Sequence, residues 1–281
     1  MASIQVVTDS ACDLTPTTTE ERDIRVVPLT IRFGAEELVD QKEISGKEFW
    51  DRVITGPDMP ATAAPSPGTF QEAFLEAHAS GHSGVVCVAI SSALSATYQA
   101  ACTAADAVAD RIAVRVVDTR SATMGQGLLA LAAADLVTSG GTLDAVAADL
   151  EELKSRTQVY GVVDSLDFLR RGGRIGGAAQ LVGSLLSIKP VIHVRDGVVE
   201  VESKQRTRSR SLRYLAGKAL EAGPLERLAT ANGAAPDFDE FLEMVQPARP
   251  EHELVRGDLG PVVGSHTGPG TIGVCFITKA R

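Results

Sequence analysis

Two kinds of hydrophobic pattern alternate along the first 155 residues of the chain. Short apolar runs typical of buried strands occur at 3–10, 24–33, 84–91 and 112–119. Stretches with apolar residues at helical spacing occur at 66–80, 96–111 and 125–141. Buried strands that are connected through helices form parallel sheets. The pattern therefore predicts an α/β domain over 1–155, with a mostly parallel sheet and flanking helices.

From residue 156 onward the pattern becomes mixed. Two alternating runs within 189–206 flank Asp196 and Gly197, a dipeptide typical of a tight antiparallel hairpin. Helical spacing and further strand-like runs follow at 209–221, 226–231, 236–246, 253–257 and 272–278. The sequence thus predicts a mixed α/β sheet domain over 156–281. We expect the ligand to lie between the two domains, because such clefts commonly hold small molecules.

Composition and charge exclude several classes of protein. A net charge of −9 over 281 residues argues against a nucleic-acid binder, which needs a basic face. The four cysteines are far apart and have no spacing suited to zinc, so we expect reduced thiols and no metal. Neither a secretion signal nor an apolar stretch of membrane-spanning length is present in the sequence. These features predict a cytoplasmic protein.

Hydroxyl residues occur at three places where strands end. Thr8, Asp9 and Ser10 follow the first strand, where they could bind a ligand or cap the next turn. Thr62 and Ser66 are predicted to lie in a loop rich in proline and glycine. Ser91, Ser92 and Ser95 occur between a strand and a helix, where backbone N–H groups favour anions, although a plain helix cap is an alternative.

His266 lies between small hydroxyl residues and a Gly-Pro-Gly turn, in the predicted loop "VVGSHTGPGTIG". It could donate to an anion, act as an acid or base, or form a hydrogen bond in a packed interior. Gly264, Gly268 and Gly270 would let the backbone approach a ligand closely. The sequence has no recognised nucleophile motif for His266 to assist.

Two arginine-rich segments stand out in an acidic protein. The first contains Arg170, Arg171 and Arg174 around two glycines, and the second, "KQRTRSRSLR", contains Arg206 and Arg208. Such clusters suggest phosphate or an acidic partner surface, and a solvated helix face is the alternative.

Taken in order, these segments resemble the DegV family of fatty-acid-binding proteins. The resemblance extends over residues 8–273 and rests on the stretches "TDSACDL", "PATAAPSPG", "SSALSATYQ", "VVDTRSATMGQG", "LDFLRRGGRI", "LLSIKPVI", "QRTRSR" and "SHTGPGTIG". It implies a carrier, not an enzyme, that buries one long-chain fatty acid such as palmitate in a tunnel and needs no cofactor. Its partner would be the catalytic subunit of a fatty acid kinase, which makes an acyl phosphate for phospholipid synthesis.

The resemblance also implies roles for individual residues. Thr62 and Ser95 would hold the carboxylate, with His266 and Gly268 nearby and Ser92 as the alternative to Ser95. The arginines facing the kinase would be Arg170, Arg174, Arg206 and Arg208. The family often has serine and glutamine where this chain has Ala63 and Ala64, and a glycine where it has Ala96. Thr62 and Ser95 are retained.

Two other functions are consistent with parts of the sequence. Asp9, Asp118 and Asp164 follow strand-like runs and could bind magnesium in a phosphatase or small-molecule transferase, if they converge. Gly125, Gly127 and Ala130 form a degenerate dinucleotide fingerprint, but the glycines do not directly follow a strand. Close helix packing is the alternative explanation for these glycines.

Overall fold

A parallel sheet forms the first layer of the protein. The computed structural model describes residues 3–181 and 188–280, so the predicted motif at 185–192 begins outside the described residues. The sheet contains, in spatial order, β2 (Ile24–Val27), β1 (Ile4–Asp9), β6 (Gly84–Ala89) and β7 (Ala113–Asp118). Its helices are α1 (Pro16–Glu21), α3 (Pro67–Ala79), α4 (Thr97–Ala107), α5 (Thr123–Thr138) and α6 (Leu143–Arg156). The predicted parallel sheet with flanking helices is confirmed.

A mixed sheet forms the second layer. Its spatial order is β10 (Val198–Gln205), β9 (Lys189–Arg195), β8 (Thr157–Val162), β13 (Thr271–Thr278), β11 (Leu225–Gly233) and β12 (Val255–Asp258). The accompanying helices are α7 (Asp167–Arg171), α8 (Arg208–Leu220), α9 (Phe238–Val245) and α10 (Pro261–Thr267). The predicted β9–β10 hairpin is confirmed, with φ of 49° at Asp196 and 84° at Gly197 as its tight turn requires.

A small antiparallel sheet was not anticipated from the sequence. The run at 24–33 looks like one strand, but it divides into β2 and β3 (Thr30–Phe33). Pro28 stands between them, and proline cannot continue a strand ladder because it lacks an N–H group. The chain turns there and pairs β3 with β4 (Glu36–Val39) and β5 (Pro60–Ala63). Helix α2 (Gly46–Thr55) connects β4 to β5.

Helix α5 lies between the two large sheets. It contacts β1 and β6 on one side and β11 and β13 on the other. Every residue from Thr123 to Ala134 is buried, because alanine, glycine and leucine occur all round this part of the helix. One hydrophobic core therefore includes residues from both sides of residue 156. In the described ranges no strand pairs with a strand from the other side of that residue, and the boundary between 1–155 and 156–281 stays a prediction.

The glycines of the degenerate fingerprint lie inside α5. A Cβ atom on Gly127 would lie 2.6 Å from the carbonyl oxygen of Cys12, and one on Gly125 would lie 2.3 Å from Val159 Cγ2. Both positions therefore serve close packing of the helix against its neighbours. Over 3–181 and 188–280, no helix is long and apolar enough to cross a membrane.

Candidate ligand site

Thr62 and His266 meet although 204 positions separate them in sequence. Thr62 lies on β5 and not in the predicted loop, because the short "PATA" segment pairs with β3. His266 likewise lies in a helix and not in a loop. It is in the last turn of α10, which begins with Pro261 and is capped by Gly268. The Thr62 hydroxyl oxygen is 2.9 Å from Nε2 of His266. Two separate segments of the chain thus bring a hydroxyl and an imidazole together.

An apolar cavity lies beside this pair. About 100 Å³ of it can hold the centre of a water-sized sphere. The walls come from both sides of residue 156 and are mostly aliphatic, with Leu29, Ile90, Leu94, Val159, Ile192, Val194, Val199 and Val262 among them. The polar side chains on the walls include Thr62, Ser95, Arg174 and His266. The cavity therefore suits a ligand with a long apolar part and a small polar part.

The imidazole of His266 is held in its neutral form. Burial lowers its pKa from the ordinary 6.5 to about 4, and the nearby positive charge of Arg174 acts in the same direction. Its Nδ1 atom has no hydrogen-bond partner among the described residues. A side chain on Gly172 would clash with this atom, since a Cβ there would lie 2.2 Å away. His266 therefore has one buried ring nitrogen, next to Gly172, that no described residue engages in a hydrogen bond.

Ser92 and Ser95, the two predicted alternatives for holding the carboxylate, lie in different environments. Ser92 is exposed, and its hydroxyl donates to Asp118 Oδ2 at 2.5 Å. Ser95 lies on the cavity wall, and its hydroxyl is 2.8 Å from that of Thr97, where α4 begins. Ser95 is not the helix cap; that position is Ala96, which makes no side-chain cap bond. Of the two predicted alternatives, Ser95 is the one that lines the cavity.

Gly268 supports the end of α10. Its φ of 76° lies in the left-handed region, and a Cβ there would lie 2.5 Å from the Phe168 ring. It is not part of the described cavity wall. Its glycine identity lets the chain turn against Phe168 immediately after His266, which fixes the end of the helix.

The four predicted docking arginines fall into two groups. Arg170 and Arg206 are exposed, and Arg170 lies 3.1 Å from Asp167 in its own helix. Arg174 donates to the carbonyl oxygens of Leu94 and Gly172 at 2.9 and 2.7 Å. Arg208 makes a two-pronged contact with Asp237 at 2.8 and 2.9 Å, which lowers the pKa of that carboxyl.

The three carboxylates of the magnesium hypothesis have separate partners. Asp9 is fully buried and accepts from the N–H of Ile90 at 2.8 Å. Asp118 accepts from Ser92, and Asp164 lies 3.1 Å from Lys189. Within the ranges that the structure covers, no group of three or more histidine, cysteine or acidic side chains is placed to hold a metal ion. The arrangement gives the phosphatase or transferase alternative no support.

Three buried carboxyl groups, Asp9, Asp13 and Asp40, lie near one another, and only the first two belong to the predicted motif "TDSACDL". Burial raises the pKa of Asp13 to about 8, and it raises those of Asp9 and Asp40 to about 6. Asp13 accepts from the N–H of Gly260 at 3.0 Å and from the hydroxyl of Thr123 at 2.6 Å. This one side chain therefore fixes the starts of α10, which carries His266, and of α5.

Fold and cavity together define a class: an α/β protein with a parallel sheet, a mixed sheet and an apolar internal site that has hydroxyl and imidazole groups on its wall. Comparison with known proteins makes this specific. The family model described as "Uncharacterised protein, DegV family" matches residues 3–279, and the chain belongs to that family. The resemblance seen in the sequence is confirmed.

Relatives match along their whole length. A DegV domain-containing protein of Streptomyces coelicolor is 36% identical over 281 residues, covering 98% of this chain and 99% of the relative. The structure of a fatty-acid-binding DegV family protein from Thermus thermophilus has a TM-score of 0.89 to this one. The two chains are 34% identical, over 99% of this chain and 100% of that one. A stearic acid-binding protein from Eubacterium ventriosum has a TM-score of 0.89 and 28% identity, over 99% of each chain.

Proposed function

We propose that this protein binds one long-chain fatty acid in the apolar cavity. The observation that carries the proposal is the placement of the Thr62 and His266 pair on the wall of a cavity that is otherwise mostly aliphatic. Two similar structures support it, because the protein from Thermus thermophilus binds fatty acid and the protein from Eubacterium ventriosum binds stearic acid.

Energetics favour such a ligand. Each methylene removed from water contributes about 0.8 kcal/mol, so a chain of about sixteen carbons supplies on the order of 10 kcal/mol before the costs of binding. A carboxylate buried without partners would cancel much of that gain. Donors that require no fully buried cation are the Ser95 hydroxyl and one member of the Thr62 and His266 pair. That member is the Thr62 hydroxyl when Nε2 of His266 donates to it, and Nδ1 of His266 when Thr62 donates to Nε2.

The proposed role is that of a cytoplasmic carrier and not of a catalyst. It would present the carboxylate to a separate fatty acid kinase, which phosphorylates the bound acid for phospholipid synthesis. The exposed Arg170 and Arg206 would contact the kinase directly. Arg174 and Arg208, which already hold neighbouring backbone and carboxylate groups, would shape the same surface.

Mass spectrometry of bound lipid tests the binding proposal. Protein purified under native conditions is expected to carry one acyl chain, and delipidated protein is expected to take up palmitate. Thr62→Val and His266→Ala should each lower the affinity about tenfold, the loss expected for one hydrogen bond to a charged group. Thr103→Val, on the exposed face of α4, is the control and should bind normally. Absence of any acyl binding by the wild type would refute the proposal.

Phosphorylation assays test the docking proposal separately. Arg170→Ala and Arg206→Ala should leave palmitate affinity unchanged and slow phosphorylation of the bound acid by a fatty acid kinase. Arg111→Ala is the control, because Arg111 is exposed and precedes β7, at the opposite end of that strand from Asp118. If both docking variants are phosphorylated at the wild-type rate, the assignment of this surface is wrong.

A further inference from the structure

Ser91 makes a buried contact for which the proposed binding site gives no reason. It lies at the end of β6 and is fully buried. Its hydroxyl donates to the carbonyl oxygen of Gly197 at 2.8 Å, across 106 positions of sequence. Gly197 is in the tight turn at the tip of the β9–β10 hairpin. The hydrogen bond therefore ties the tip of that hairpin to the end of the parallel sheet.

The fit between the two residues is close. A Cβ atom on Gly197 would lie 2.4 Å from the Ser91 hydroxyl oxygen and 3.5 Å from the Cα of Arg120. The φ of 84° at Gly197 also disfavours any other residue. Only a glycine turn can therefore rest against Ser91 in this way, and the contact is specific to the hairpin tip.

The tied hairpin is also a wall of the cavity. Ile192 and Val194 on β9 and Val199 on β10 line it. The hairpin lies at one edge of the mixed sheet, and β9 pairs with β8 only between 191–193 and 160–162. In contrast, β13 lies inside the sheet and pairs with both neighbours along most of its length. The hairpin is thus a wall whose strands have little other sheet pairing to hold them.

We propose that the hydrogen bond from Ser91 to Gly197 is a latch that holds the hairpin closed over the acyl chain. The proposal rests on the fatty-acid-binding function argued above. A long acyl chain that lies along these walls can enter and leave faster when one of the walls moves aside. Release of the hairpin tip would separate Val194 and Val199 from the opposite wall while the sheet interior stays intact.

Ser91→Ala removes the latch without adding bulk. The proposed latch closes the empty and the loaded protein alike, so its loss should raise the association and dissociation rates together. One buried hydrogen bond corresponds to a rate change of about fivefold. The dissociation constant should stay within about twofold of the wild-type value. Ser121→Ala is the matched control, since the Ser121 side chain is buried and has no hydrogen-bond partner in the described ranges.

Stopped-flow fluorescence with a fluorescent C16 fatty acid measures both rates, after equilibrium titration of the wild type. Faster exchange in both directions for Ser91→Ala, with Ser121→Ala like the wild type, supports the latch. A change in dissociation alone, or in neither rate, would overturn it while leaving the binding function in place. Hydrogen exchange gives a second readout: amides of 194–199 should exchange faster in Ser91→Ala, and those of β13 should not. Failure of the wild type to bind any acyl chain would instead remove the proposed function itself.

Discussion

Replacement of Asp13 by asparagine should stabilise the protein, and increasingly so as the pH rises. An amide has nearly the shape of a carboxyl group. Its oxygen can accept from the N–H of Gly260, and its nitrogen can donate to the hydroxyl of Thr123, so both contacts of Asp13 can be kept. The substitution therefore removes only the ability to carry a buried negative charge.

The magnitude follows from the pKa of Asp13. Burial places it at about 8 in the folded protein, against 3.8 for an unperturbed carboxyl. The folded state consequently holds a proton that the unfolded chain has already lost, and the free energy of unfolding falls as the pH rises from about 4 to about 8. At 1.36 kcal/mol per pKa unit the full effect at pH 9 is about 6 kcal/mol. Asp13→Asn should escape this loss.

Urea unfolding followed by circular dichroism at pH 5, 7 and 9 measures the effect. The difference in free energy of unfolding between Asp13→Asn and wild type should be smallest at pH 5 and increase toward pH 9. Asp149→Asn, on the exposed face of α6, is the control and should show little change with pH. A difference that is the same at pH 5 and pH 9 would refute the argument that Asp13 is protonated in the fold.

Two further substitutions test the cavity and the core. Gly161→Val should select shorter acyl chains, because Gly161 lines the cavity and a Cβ there would lie at an ordinary contact distance of 3.6 Å from Ile192. The same acyl-chain lengths in lipid extracted from wild type and variant would contradict this. Asp135→Asn should lower the free energy of unfolding by about 2 kcal/mol, because it leaves the buried Arg227 without its charged partner at 2.6 Å. Asp144→Asn, whose partner is exposed, should cost less than about 0.5 kcal/mol in the same urea titration.

The sequence predicted those elements whose local pattern decides their structure. The runs at 84–91 and 189–206 became β6 and the β9–β10 hairpin because uninterrupted apolar or alternating residues fit only those arrangements. The four-residue strands β3, β4 and β5 have too few positions to show a period, and Pro28 conceals the change of sheet. The segment of helix α10 looks like a loop in the sequence for a similar reason, since its seven residues include a proline and a glycine.

The candidate site was predictable only in part. The resemblance to the DegV family pointed to Thr62 and His266, yet their 2.9 Å contact depends on how β5 and α10 pack. The choice between Ser92 and Ser95 required side-chain directions, which no spacing rule provides. The partners of Asp13 lie 110 and 247 positions away, so no local pattern could have shown that its carboxyl is buried between two helix starts.

The burial of α5 on both sides affects how the chain must fold during synthesis. One side of the helix is covered by strands β1 and β6, which precede it, and the other by β11 and β13, which are made about a hundred residues later. A nascent chain that has emerged only as far as α6 therefore exposes a strip of leucine and alanine to water. We expect this intermediate to recruit a chaperone until β11 and β13 have been synthesised and can cover the helix.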